Sequence, residues 1–126
     1  MVILFDRFNL GDDIYEIIFS TNQQVNVSKA LIKFFKDNTG TLTKTQMSLF
    51  ASSLHEGDAH FRMADGMEQK LTYNKRQFYD RILTPLKTMG IVDYDMYQKV
   101  YRLSDAFNKE MVKIGKMWLD ELERPP

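Results

Sequence analysis

Hydrophobic residues recur every three or four positions in several stretches of this chain, and that spacing predicts amphipathic helices. The first predicted helix is capped by Asn26 or Ser28 and stops at the Asn-Thr-Gly sequence of positions 38–40. The second begins after Thr43, where Thr-Lys-Thr-Gln matches a capping box, because hydroxyl and glutamine can satisfy each other's backbone amides. Each of these helices carries one apolar face that must be buried.

A third helix is predicted to start near Thr72 or Asn74 and to end at Gly90, a residue that tolerates the left-handed conformation of helix ends. Pro85 lies inside it and should bend the helix or loosen the preceding turn. The predicted inward positions are Phe78, Ile82, Leu86 and Met89.

Two β-branched and aromatic runs follow, at positions 91–94 and 99–103, and they predict a hairpin with a short tip. Ser104 or Asp105 then caps a helix of roughly twenty residues, about 30 Å long. Its apolar stripe consists of Phe107, Met111, Ile114, Trp118 and Leu122.

The remaining segments carry weaker patterns. Positions 1–25 read as an N-terminal extension in which the apolar runs 2–5 and 14–19 fit strands, although the second run fits a short helix equally well. Positions 55–71 contain two glycines and mixed charge, and we expect a partly helical insertion there.

Length and charge limit the possibilities further. A chain of 126 residues fits a single domain, here predicted to be α+β and mostly helical. Its net charge is zero, but charge is segregated: positions 72–118 hold nine Lys and Arg against five Asp and Glu, and 9 − 5 = +4. Cysteine is absent, and the apolar start is too short for a signal or a membrane span. We therefore expect a soluble, cytoplasmic protein.

The order of these elements resembles the winged helix-turn-helix superfamily of DNA-binding regulators. The resemblance covers roughly positions 27–104 and rests on a third helix that closes with Gly90-Ile91-Val92 and a second wing strand that reads Tyr101-Arg102-Leu103-Ser104. Two features depart from that pattern. The insertion at 55–71 replaces the tight turn, and the wing tip has no arginine.

The resemblance implies that the third helix lies in the major groove of double-stranded DNA. Arg76 would then bridge a guanine edge and Asn74 an adenine edge, with Lys75 and Tyr79 on phosphates. The wing would contribute Lys99, Arg102 and Gln98, and the start of the second helix would contribute Thr43, Lys44 and Thr45.

Each of these interpretations has an alternative. The cations of the third helix can be an ordinary solvated face, and a winged helix can serve as a protein-binding module without DNA. The C-terminal stripe can pack on this chain's own core or pair with the same helix of a second copy, and we favour a homodimer because the helix is long.

The sequence predicts no cofactor and no enzyme, since it lacks a nucleophile elbow, a phosphate-binding glycine loop and cysteine. His55 and His60, with Glu56 and Asp58, resemble a metal cluster, but Gly57 interrupts them and the spacing does not place both histidines on one helix face. A metal-dependent factor built around them is the weakest of three hypotheses, after a DNA-binding dimer and a protein-interaction module.

Overall fold

The computed structural model describes residues 7–62 and 66–126 and has an α+β architecture with two small antiparallel sheets. The elements in chain order are α1 (Ile14–Ile18), α2 (Asn22–Asp37), β1 (Thr41–Thr43), α3 (Lys44–Glu56), β2 (Ala59–Arg62), β3 (Glu68–Leu71), α4 (Lys75–Gln77), a π-helical segment (Phe78–Leu83), α5 (Thr84–Thr88), β4 (Val92–Asp95), β5 (Val100–Leu103) and α6 (Ala106–Glu123).

The N-terminal segment contributes to the core. The apolar run 14–19 fitted a strand or a short helix, and the chain adopts the helix, α1. Ile18, the last residue of α1, and Phe19, which follows it, are buried. The run 2–5 lies outside the described residues. α2 starts earlier than predicted, because the Thr21 hydroxyl accepts a hydrogen bond from the Gln24 amide at 3.1 Å and opens a polar first turn that carries no apolar signal.

A three-residue strand, β1, was not predicted from the sequence. It pairs antiparallel with β5, which also pairs with β4, so the sheet order is β1-β5-β4. Three residues are too few for an alternating pattern to be recognised, and the strand is specified by a partner some sixty positions away. Leu42, at its centre, is fully buried opposite Tyr101.

Beyond the end of α3 at Glu56, the described residues of the insertion at 55–71 form two paired strands, and the prediction of a partly helical segment was wrong there. α3 ends at Gly57, which has a φ of +76°, and β2 and β3 then pair antiparallel with Ala59 opposite Leu71. Both of these residues are buried, whereas His60 and Lys70, the next pair, are exposed. The alternation typical of a half-buried hairpin was obscured by the short length of each strand.

An aromatic cluster lies where α2, α3, the β2–β3 hairpin and the π-helical segment meet. The Phe50 ring lies 5.5 Å from that of Phe34, 5.4 Å from that of Phe61 and 5.5 Å from that of Phe78. Large aromatic side chains dominate core energetics, so these contacts tie the inserted hairpin to the helices around it.

Residues 75–88 form one continuous helical stretch, α4, the π-helical segment and α5, which we call the interrupted helix. Pro85 has no amide hydrogen, and its ring would clash with a carbonyl in the turn before it. The turn widens instead: the Thr84 amide donates to the Tyr79 carbonyl five residues back, and the Thr84 hydroxyl donates to the same oxygen at 2.8 Å. The predicted loosening before Pro85 is thus confirmed.

Gly90 ends the interrupted helix as predicted, with a φ of +80°. Its carbonyl accepts a hydrogen bond from the Phe107 amide at 3.1 Å, and a Cβ added to it would lie 3.0 Å from the Cβ of Ala106. The Ser104 hydroxyl accepts from the Ala106 amide, as predicted for the start of α6. Ala106 and Phe107, in the first turn of α6, are half-buried. No residue of α6 is fully buried by the part of the chain that the structure describes.

Candidate nucleic-acid interface

The interrupted helix presents a polar outer face to solvent. Phe78, Ile82 and Leu86 are buried, which confirms the predicted inward positions, and Met89 is half-buried. The exposed side chains on the opposite side, which we call the outer face, are Arg76, Gln77, Asp80, Arg81, Thr84, Lys87 and Thr88. Three cations against one acid give this face a net positive charge.

Arg76 is the most accessible of the predicted DNA-contacting residues on this helix. Its side chain is 92% exposed and forms an ion pair with Asp80 at 3.9 Å, a contact too exposed to hold the guanidinium firmly. Asn74 lies beside it, but its side-chain oxygen accepts a hydrogen bond from the Gln77 amide at 3.1 Å. Asn74 therefore caps the helix and is the start of the two that the sequence predicted, Thr72 or Asn74.

Lys75 points toward α3. Its ammonium donates to the Ser52 hydroxyl at 2.8 Å and lies 3.5 Å from that of Ser48, while its backbone amide donates to His55 Nδ1 at 3.1 Å. The side chain is half-buried. Lys75 thus fastens the start of the interrupted helix to α3.

Tyr79 has a similar bracing position. It is half-buried and packs edge-on against Phe78 with the ring centroids 5.5 Å apart. Burial raises the pKa of its phenol, an effect partly opposed by a hydrogen bond with Ser48. Lys75 and Tyr79, which were predicted to contact phosphates, therefore both lie in the seam between the interrupted helix and α3.

Several outer-face residues were missed by sequence reasoning, namely Gln77, Arg81, Thr84, Lys87 and Thr88. A signal for them existed in the sequence, since polar residues recur at three- and four-residue intervals from Gln77 to Thr88, opposite the apolar positions. The prediction concentrated on the first turn and left the second half of the helix out.

The N-terminus of α3 and the turn before β5 form a second polar surface. The Lys44 amide donates to the Lys99 carbonyl at 3.1 Å, so the pairing of β1 with β5 brings these two lysines together. Lys44 and Thr45 are exposed. Thr43 completes the predicted capping box: its hydroxyl accepts from the Gln46 amide at 3.1 Å, and its own amide donates to Gln46 Oε1 at 2.8 Å.

The hairpin tip is held by its own side chains. Asp95 accepts hydrogen bonds from the amides of Tyr97 and Gln98, at 2.9 and 3.0 Å, and pairs with Arg102 at 3.2 Å. The hydrogen bond from the Gln98 backbone amide lowers the pKa of Asp95 most, and the hydrogen bond from the Arg102 side chain lowers it further. Arg102 also donates to the Gln98 side chain, so these two predicted DNA contacts bind each other in the free protein.

The tip exposes two large side chains, and Lys99, the last residue of the turn, is exposed beside them. Tyr97 is 98% exposed and Met96 is 77% exposed. The turn below them is fixed by Asp95, so both side chains are presented from a defined backbone.

The predicted dimerisation stripe divides into two parts. Phe107 is half-buried and lines an apolar groove of about 310 Å³ together with Ile14, Ile18 and Leu103. The other four residues are exposed: Met111 by 37%, Ile114 by 53%, and Trp118 and Leu122 each by 61%. Packing on this chain's own body therefore accounts for Phe107 and not for the remainder.

The two histidines contact different residues. His55 accepts the Lys75 amide, and His60 lies 3.9 Å from Glu68 across the inserted hairpin. Within residues 7–62 and 66–126, no three His, Cys, Asp or Glu side chains are arranged to hold a metal ion. Over the same residues, no helix has the length and apolar character that crossing a bilayer would require.

No family model, curated protein or solved structure matches this chain.

Proposed function

We propose that the chain is a small, non-enzymatic regulator that binds double-stranded DNA as a homodimer, acting in transcription or in replication or plasmid control. The proposal takes the fold as a winged helix-turn-helix with an inserted hairpin. The helix order and the hairpin on which the resemblance rests are all present, and β1 secures the start of α3 beside the second wing strand.

The observation that carries the proposal is the outer face of the interrupted helix. It presents Arg76, Arg81 and Lys87 on one exposed surface, while Lys75 fastens the helix to α3. An α-helix with its side chains is 10–12 Å across and fits the major groove, which is about 12 Å wide. A basic helix of this kind can read base edges with its first turns and hold phosphates farther along.

Separate roles follow for the two polar surfaces. Arg76 and Arg81 are assigned to base edges or neighbouring phosphates, and Lys87 to a phosphate. Lys44, Thr45 and Lys99 lie together beside the wing and would meet the backbone on the other side of the groove. Arg102 and Gln98 would contact DNA only after exchanging their mutual hydrogen bond.

The test is a binding screen against a random duplex pool at two salt concentrations. Because phosphate contacts release counterions, affinity should fall steeply as salt rises. Arg76→Ala should cost about 1–3 kcal/mol on preferred sites and relax the sequence preference, whereas Lys99→Ala should weaken all sequences alike and reduce the salt slope by about one.

Arg124 provides a matched control, since its side chain is 74% exposed and lies beyond α6, far along the chain from the outer face. Arg124→Ala should leave both affinity and preference unchanged. Binding that is absent, or that does not respond to salt, contradicts the proposal.

A second candidate function, a protein-interaction module, is favoured by one observation. Met96 and Tyr97 form an exposed apolar surface on a fixed turn, and such a surface suits contact with an apolar patch of a protein. If this function is the correct one, Tyr97→Ala will abolish capture of a protein partner, and Arg76→Ala will have no effect on it.

A further inference from the structure

The apolar face of α6 has no cover within the described chain. At about 100° per residue, the large apolar side chains of α6 other than Met117 fall in an arc of about 160° that contains no charged residue. The large members are exposed by 37–61%: Met111, Val112, Ile114, Trp118, Leu119 and Leu122. A contiguous apolar face of this kind marks an interaction surface.

Gly115 lies near the centre of that face, both along the helix and around it. α6 runs from residue 106 to residue 123, so its midpoint falls between 114 and 115, and Gly115 also lies within the apolar arc. Glycine inside a helix costs about 1 kcal/mol relative to alanine. No described atom lies within 4 Å of a Cβ added at this position, so crowding within the described chain does not account for the glycine.

The face is also self-complementary when the helix is reversed about Gly115. Reversal places Met111 opposite Leu119, and Val112 opposite Trp118. A two-fold interface requires that a residue and its counterpart exchange places in this manner. An antiparallel pair centred on Gly115 would therefore bury apolar side chains against one another on both sides of the axis, with the glycines allowing close approach of the backbones.

Charge selects the same direction. The cations of α6 are Lys109, Lys113 and Lys116, and the last turn holds three acids, Asp120, Glu121 and Glu123. A parallel pair would bring the two acidic ends together. An antiparallel pair separates them by most of the helix length and places each acidic end beside the half of the partner helix that carries Lys109 and Lys113.

We infer that α6 pairs antiparallel with α6 of a second copy of this chain, with the two Gly115 residues at the two-fold axis. The inference rests on the homodimer within the proposed function and specifies its geometry. Because α6 is about 27 Å long, the two bodies would be attached at opposite ends of the pair, about 27 Å apart. That separation is of the order of one turn of DNA, about 34 Å, which is the spacing of half-sites read by a two-fold dimer.

The absence of cysteine makes the direction of pairing directly measurable. Asn108→Cys and Leu122→Cys are prepared separately, then mixed and oxidised without DNA. In the antiparallel pair, position 108 faces position 122, whereas two copies of position 108 are about 21 Å apart along the axis, beyond the roughly 7 Å that a disulfide spans. We expect a mixed disulfide dimer in the mixture and none in either variant alone.

Rapid self-crosslinking of Leu122→Cys would indicate a parallel pair and overturn the inference. So would a monomeric mass for the unmodified chain at high micromolar concentration. Both measurements use the free protein, so their failure is independent of whether the chain binds DNA.

A charge substitution within the face supplies the second readout. Leu119→Glu should raise the dimer dissociation constant at least about tenfold, measured by sedimentation. Leu49→Glu is the matched control, because Leu49 is an equally exposed leucine on α3, at 65% against 59% for Leu119. An equal effect of both substitutions, or of neither, contradicts pairing through α6.

Discussion

α2 and α6 are both long amphipathic helices, yet the described chain buries the apolar face of α2 and leaves that of α6 exposed. α2 has 16 residues, seven of which are buried, and α6 has 18 residues, none of which is buried by the described chain. The hydrophobic pattern of the two helices is equally regular in the sequence. The pattern therefore shows that each helix has an apolar face that must be covered. It does not encode which element provides that cover.

For α2 that cover is supplied by elements distant in the sequence. Phe35 and Leu31 are fully buried, and α2 contacts β1, β3 and the π-helical segment. For α6 we propose a second molecule. Three pairs of measurements can break or sharpen this contrast.

The largest expected effect separates Phe35→Ala from Trp118→Ala. Removal of the fully buried Phe35 ring should lower the free energy of unfolding by about 3–5 kcal/mol. At concentrations where the chain is monomeric, removal of the 61% exposed Trp118 ring should change it by less than about 0.5 kcal/mol. Urea titrations of both variants measure the difference.

Repeating the Trp118→Ala titration at high protein concentration sharpens the comparison, since a dimer stabilises the fold by mass action. The variant should then lose stability relative to the unmodified chain. A large loss for Trp118→Ala already at low concentration would mean that α6 packs on its own body.

A smaller effect is expected at the helix starts. The Thr21 hydroxyl caps α2 at 3.1 Å, whereas Asp105, at the start of α6, makes no side-chain capping bond in the described structure. Thr21→Ala should therefore cost about 1 kcal/mol of unfolding free energy, and Asp105→Ala less. Equal losses in thermal unfolding would contradict the difference between these two caps.

The smallest effect concerns pH and the ion pair between Lys29 of α2 and Asp13, at 3.2 Å. The backbone hydrogen bond from Glu16, and then Lys29, lower the pKa of Asp13 below its usual value. Ionised Asp13 thus stabilises the fold above its unfolded-state pKa, and this contribution is lost as pH falls through the lower folded-state pKa.

Between about pH 5 and pH 2, the unmodified chain should lose slightly more stability than Asp13→Asn. Asp120→Asn on α6 is the control and should follow the unmodified chain. An Asp13→Asn variant with the same pH slope as the unmodified chain would show that the pair contributes nothing.

Local chemistry determined which parts of the fold could be predicted. The caps at Thr43 and Asn74, the stop at Gly90 and the β4–β5 hairpin were all predicted, because each is defined by a few neighbouring residues. β1 and the hairpin at 55–71 were not, because short strands depend on partners that only the folded chain brings together.

The candidate site was predicted in part, for a related reason. Arg76 is exposed as expected, but Lys75 and Tyr79 turn toward α3, and the serines that receive them lie on another helix. No spacing rule within the third helix could reveal those partners. The second half of the outer face was within reach of the sequence and was overlooked.

Gly90 is a point of close contact between the interrupted helix and α6. It ends the helix proposed to read DNA, and its carbonyl and missing Cβ receive the first turn of the helix proposed to pair two molecules. A side chain at this one position would tilt α6 without touching a single outer-face residue. In the proposed dimer, such a tilt would change the separation of the two DNA-reading helices and leave the contacts that each of them makes unaltered.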